Sequence, residues 1–90
     1  PARHTVSRDG AEIHLTATEF KLLAYLAGHS GRVLTHNSLL NHVWGPEYAN
    51  NVEYLRVFMS TLRKKIEPDP KQPRYLLNEP GVGYRFSAEA

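Results

Sequence analysis

One apolar stripe restricts this chain more than any other feature. Val52, Leu55, Met59, Leu62 and Ile66 recur at i, i+3, i+7, i+10 and i+14, the signature of a helix with a single buried side. It predicts a helix from about Val52 to Glu67, closed by Pro68 and Pro70, which cannot continue a helix. Such a helix is unstable alone and has to bury its stripe against something else. With 90 residues in all, that partner belongs to one small domain. A chain this size buries roughly 60–65% of its unfolded surface, so its other elements have to be short and well patterned.

The rest of the chain supplies them. Residues 3–15 read as a β-hairpin: Val6, Ile13 and Leu15 alternate with polar residues across an Arg8-Asp9-Gly10 turn. A lone hairpin is marginal in water, so a further strand is expected upstream. Thr16 to Glu19 reads as a capping box. It opens a helix to about Ala27, with Phe20, Leu23, Ala24 and Ala27 as its expected core stripe and Gly28 as its stop. Gly31 to Leu34 reads as an extended link. Thr35 then caps a second helix, about His36 to Trp44, with Leu39, Leu40 and Val43 inward. Residues 45–51 (GPEYANN) form a polar loop. The stretch from Tyr75 to Phe86 reads as strand, tight turn and strand. Gly81 and Gly83 are expected to give the tip its positive φ. The order is hairpin, three helices, hairpin. This predicts an α+β winged helix-turn-helix with the C-terminal hairpin as its wing.

Charge points in the same direction. Eleven Lys and Arg outnumber nine Asp and Glu by only two, so placement matters more than the sum. Arg56, Arg63, Lys64 and Lys65 fall in one ten-residue stretch, while Asp9, Glu12 and Glu19 lie in the first quarter. Opposite the apolar stripe of the third helix, the periodicity places Glu53, Arg56, Val57, Ser60 and Lys64, with Thr61 beside them and Arg63 at the stripe's edge. Basic residues interleaved with short polar ones suit phosphates and base edges. A solvated helix face would look the same, so the helix alone does not decide. A slim wing with Arg85 near its tip can enter a minor groove. Thr35 and the start of the second helix offer amides to a phosphate.

Other classes find less support. There is no cysteine, which excludes thiolate zinc sites and cysteine nucleophiles and fits a reducing cytosol. The five histidines are scattered without metal-ligand spacing. Glu47 and Glu53 flank a loop rather than a cleft. Neither an enzyme, a metal nor a cofactor is expected, and no leader or membrane span is legible. A winged helix used only for protein contacts remains the second reading, and an apolar or neutral outer face on the third helix would favour it. Trp44 and Tyr25 are expected at or near the core. Tyr48 could pack back or face a partner.

From Leu15 to Phe86 the chain resembles the effector domain of OmpR/PhoB-type response regulators. The motifs are Leu15-Thr-Ala-Thr-Glu-Phe-Lys-Leu-Leu23, Val33-Leu-Thr35, Leu39-Leu40, Val43-Trp44-Gly45, Leu62-Arg-Lys-Lys-Ile-Glu67 and Gly81-Val-Gly-Tyr-Arg-Phe86. Within that class, Asn51 to Pro70 and Glu79 to Arg85 look most like regulators of potassium-uptake genes.

The resemblance implies a cytoplasmic transcription regulator of a two-component phosphorelay. Its receiver domain lies outside this chain and is phosphorylated by a sensor kinase, and the upstream part of the N-terminal sheet is expected outside it too. Two such domains would bind direct repeats in double-stranded DNA head to tail, with no membrane involved. It also implies site residues. Arg56, Val57, Ser60, Thr61, Arg63 and Lys64 would contact bases and phosphates from the third helix, and Gly83, Tyr84 and Arg85 from the wing. Thr35, His36 and Asn37 would meet the DNA backbone. Pro46, Glu47 and Tyr48 would face RNA polymerase. The expected core is Phe20, Leu23, Leu40, Val43, Trp44, Leu55, Met59, Leu62 and Ile66.

Overall fold

The computed structural model describes residues 5–8 and 10–88. Strands β1 (Thr5–Arg8) and β2 (Ala11–His14) form an antiparallel hairpin in which Val6 faces Ile13 and Arg8 faces Ala11. Asp9 and residues 3 and 4 of the expected hairpin lie outside the described residues, as does the side chain of Val6. Helix α1 (Ala17–Gly28) follows at once. Its start is the capping box read from the sequence: the Thr16 hydroxyl accepts from the Glu19 N–H at 3.2 Å, and Glu19 Oε1 accepts from the Thr16 N–H at 3.0 Å.

The inward face of α1 is turned by one residue from the expected stripe. Glu19, Leu22, Leu23 and Leu26 are buried, while Ala24 and Ala27 are exposed and Phe20 is half-buried against the core. Both sets of positions share the same helical spacing. The leucines take the core because each buries far more apolar surface than an alanine.

Strand β3 (Val33–Thr35) leads into α2 (His36–Val43). One turn of 3₁₀ helix (Pro46–Tyr48) then precedes α3 (Val52–Ile66). Strands β4 (Leu76–Glu79) and β5 (Gly83–Phe86) are the last described elements. The segment read as an extended link is therefore a true strand. It pairs antiparallel with β5, Leu34 facing Tyr84 and Thr35 facing Gly83, so the wing is a three-stranded sheet in the order β3-β5-β4. Three residues are too short a run to show the alternation that marks a strand.

The core gathers where the three helices meet that sheet. Leu22, Leu26, Leu39, Leu40, Leu55, Met59, Leu62 and Leu76 are fully buried. Leu23, Val43 and Ile66 are buried at its margin. Trp44, expected at or near the core, is half-buried and packs against its outside. Each enclosed leucine contributes about 1.5–3 kcal/mol.

Two buried carboxylates tie α3 into this frame. Glu67, just past the end of α3, accepts the amides of Arg74 (2.8 Å), Tyr75 (3.0 Å) and Leu76 (2.8 Å). It thereby holds the return strand against the helix end. Glu19 accepts from Lys65 Nζ at 2.6 Å, joining α1 to the last turn of α3. Burial is the largest single influence on Glu19 and raises its pKa. The Lys65 ammonium and the hydrogen bonds with Thr16 together outweigh it and hold the carboxyl below its ordinary value of 4.5.

Candidate nucleic-acid interface

The buried stripe fixes how α3 is rotated, and so which side chains it presents. With Leu55, Met59, Leu62 and Ile66 inward, Glu53, Arg56, Val57, Ser60 and Lys64 are exposed, and Thr61 is half-buried at the edge. Arg56 donates from Nη1 to Glu53 Oε1 one turn earlier, and both side chains stand mostly in solvent. An exposed pair of this kind is weak and readily exchanged, so the guanidinium can leave it for a stronger acceptor. Val57, 61% exposed, puts two methyl groups among these polar residues. The face is slim at its centre, basic at both ends and without acids after Glu53.

Arg63 does not belong to this face. Its Nε and Nη2 both donate to the Leu76 carbonyl, at 3.0 and 2.7 Å, and its guanidinium lies 5.7 Å from the centre of the Tyr84 ring. It straps α3 to β4 and β5. A position at the edge of an apolar stripe lets an arginine reach outward or inward, and here an open carbonyl and a ring face drew it in.

The wing places its residues differently from expectation as well. Tyr84 is buried, 4% exposed, and its ring packs into the core. It meets His36 edge to face at 5.7 Å. Gly83 is buried too, and positive φ is not why it is glycine: among the described glycines only Gly10, Gly31, Gly45 and Gly81 have it. A Cβ at Gly83 would overlap the Leu34 carbonyl and stand 2.9 Å from the Thr35 Cα, so it serves the close approach of β3. What the wing offers outward is its tip. Gly81 turns it at φ 76°, Val82 is 48% exposed, and Arg85 behind it is steadied by Glu79 Oε2 at 3.0 Å.

The start of α2 is joined to that tip. The His36 N–H donates to the Val82 carbonyl at 3.1 Å, and the Thr35 hydroxyl accepts from the Ser38 N–H at 3.0 Å. Two of the first three amides of α2 are thus already used. Asn37 between them is exposed. The wing tip, the α2 start and the outer face of α3 hold fixed relative positions because backbone hydrogen bonds and a shared core connect them.

In the polar loop before α3, the sequence left two places open for Tyr48, and the structure takes one of them. Tyr48 packs back: its ring stacks on Tyr54 at 5.7 Å and lies 6.5 Å from Trp44. Trp44 also meets Tyr54 and Phe58 edge to face at 5.2 and 5.0 Å. Pro46 and Glu47 remain exposed. The signal for this cluster was present, since Tyr54 and Phe58 share a helix side at i and i+4.

Among the described residues no group of acids and histidines is placed to hold a metal ion. No described helix is long and apolar enough to cross a membrane.

Comparison with known proteins agrees with this architecture. Residues 10–86 match the family described as transcriptional regulatory protein, C terminal. The chain is 51% identical over 83 residues to the transcriptional regulatory protein KdpE of Mycobacterium tuberculosis, covering 92% of this chain and 37% of that protein. It is 46% identical over 84 residues to the sensory transduction protein RegX3 of the same organism, covering 93% and 37%. The chain therefore spans little more than a third of the length of these relatives. Among solved structures, the response regulator DrrB of Thermotoga maritima, an OmpR/PhoB homologue, superposes with a TM-score of 0.83 at 38% identity, over 92% of this chain and 37% of that one. The RstA DNA-binding domain of Klebsiella pneumoniae, solved in complex with the RstA box, gives 0.83 at 28% identity, over 92% and 82%. On its motifs, its fold and these matches, the chain belongs to the transcriptional regulatory protein C-terminal family, the winged-helix domains of OmpR/PhoB-type regulators.

Proposed function

We propose that this domain binds double-stranded DNA by sequence, with α3 in the major groove and the wing tip over the adjacent minor groove. The observation that carries the reading is the outer face of α3. Arg56, Val57, Ser60 and Lys64 are exposed along one helix side, with no role in the core. Arg56 is suited to guanine O6 and N7, Val57 to a thymine methyl, and Ser60, Thr61 and Lys64 to bases or phosphates. Thr35, His36 and Asn37 bring the α2 start to the backbone, with Thr35 and Asn37 exposed and His36 half-buried. On the wing the contacts pass from Tyr84 and Gly83 to Val82 and Arg85. Arg63 acts first as a strap, with Nε and Nη2 given to the Leu76 carbonyl. The RstA domain, a relative of the same fold, was solved on its DNA box.

The wider assignment follows the relatives. We read the chain as the output domain of a cytoplasmic two-component response regulator, without catalytic activity of its own. In the longer protein a receiver phosphorylated by a sensor kinase controls dimerisation on direct repeats. Pro46 and Glu47, exposed before α3, would meet RNA polymerase, next to Tyr48, which packs on Tyr54. Control of potassium-transport genes rests on the likeness to KdpE, which exceeds that to RegX3 by a few per cent in identity.

Selection from a random-sequence duplex library at two salt concentrations tests the reading. A direct repeat with half-sites about 10 base pairs apart should be enriched, and affinity should fall steeply with salt. Absence of binding to any duplex would overturn it in favour of a protein-contact module.

A further inference from the structure

A cleft of about 510 Å³ opens where the C-terminal half of α3 meets the loop that follows it, lined by Ser60, Arg63, Lys64, Asp69, Pro70 and Lys71. We propose that this cleft seats a DNA backbone phosphate, with Lys71 as a contact outside the helix, the wing and the α2 start. The inference rests on the DNA-binding reading above and extends it.

Three observations support it. First, Ser60 and Lys64 line the cleft and also belong to the exposed outer face of α3, so cleft and face form one continuous surface. Second, α3 has 15 residues and is about 22 Å long, whereas the major groove is about 12 Å wide. A helix seated there by Arg56 and Val57 carries its last turns across a sugar–phosphate rail, and Lys64 and the cleft lie in those last turns. Third, the loop is held in shape. Asp69 Oδ1 accepts from the Lys71 N–H at 3.1 Å and the Asp69 carbonyl from the Gln72 N–H at 2.9 Å. Pro68, Pro70 and Pro73 restrict the backbone around it. Lys71 is therefore presented from a fixed turn. The guanidinium of Arg63, already bound to the Leu76 carbonyl, adds positive charge to the cleft without reaching out. The opposing charge is the Asp69 carboxylate, which forms the turn and weakens the attraction.

The test is equilibrium binding of the chain to a mixed-sequence duplex, followed by fluorescence anisotropy over a salt series. Lys71→Ala should reduce the slope of log affinity against log salt by about one, the share of one phosphate contact. Asp69→Asn keeps the acceptor for the Lys71 amide and should tighten binding several-fold. Lys21→Ala, on the outer side of α1, should leave the slope unchanged. An unaltered slope for Lys71→Ala, or no gain from Asp69→Asn, would overturn the proposal. Salt-insensitive binding by the unmodified chain would overturn the DNA-binding reading itself.

Discussion

Arg56 and Arg63 stand seven positions apart on α3 and have opposite fates. Periodicity alone barely separates them, since seven residues are close to two full turns and leave the two side chains only about 20° apart on the same flank of the stripe. The partners decide: Arg56 meets an exposed glutamate, Arg63 a carbonyl and a buried ring. Arg56→Ala should cost about 1–3 kcal/mol in binding to the selected operator and flatten preference at one base position. Uniform loss over all sequences would make it a phosphate contact instead. Gly83 shows a second limit of reading residues from sequence. A glycine near a turn suggests positive φ, but its actual constraint comes from Leu34, some fifty residues earlier in the chain. Gly83→Ala should destabilise the domain by about 1–3 kcal/mol, because β3 has to shift to admit the Cβ. A melting temperature equal to that of the unmodified chain would contradict this close packing.

At the scale of elements, the sequence was most legible where one pattern had one solution. The Thr16–Glu19 capping box holds as read, and so does the α3 stripe from Leu55 to Ile66, with Val52 at its start only half-buried; both are local. The inward face of α1 was ambiguous because Phe20, Leu23, Ala24 and Ala27 keep the same spacing as Glu19, Leu22, Leu23 and Leu26. A buried glutamate within the true stripe disguised it. Its partner Lys65 lies 46 residues away, out of reach of any local pattern. Glu67 left a fainter trace: an acid at a helix C-terminus opposes the helix dipole, which hints at another duty. Leu26→Ala should cost about 2–5 kcal/mol, and Phe20→Ala less than the roughly 3–5 kcal/mol of an enclosed phenylalanine. Urea unfolding that ranks Phe20→Ala as the costlier change would restore the expected face of α1.

For the molecule as a whole, the three helices, the N-terminal hairpin and the wing hairpin were legible in order and close to their bounds, while β3 was missed because strand pairing is long-range. Of the candidate site, the outer face of α3 was legible and the inward turn of Arg63 and Tyr84 was not, since both depend on how the wing folds back. The Glu19–Lys65 link gives the assembled domain a pH dependence. A carboxyl held below its ordinary value binds protons less readily folded than unfolded. Its contribution is therefore present above about pH 4.5 and lost as pH falls through the depressed value. Lys65→Met should destabilise the domain most near neutral pH, and the difference should shrink in acid as Glu19 takes up its proton. A difference that stays constant down to about pH 3 would mean the pair matters by packing alone.

Which surface meets DNA is the question beneath all of this, and amide and side-chain chemical-shift mapping answers it directly. The isotope-labelled chain would be titrated with its selected duplex. The largest shifts should fall on Arg56, Val57, Ser60 and Lys64 of α3 and on Val82 at the wing tip, with Phe20, Lys21 and Ala24 of α1 unmoved. Shifts concentrated on the outer side of α1, with α3 silent, would contradict the account.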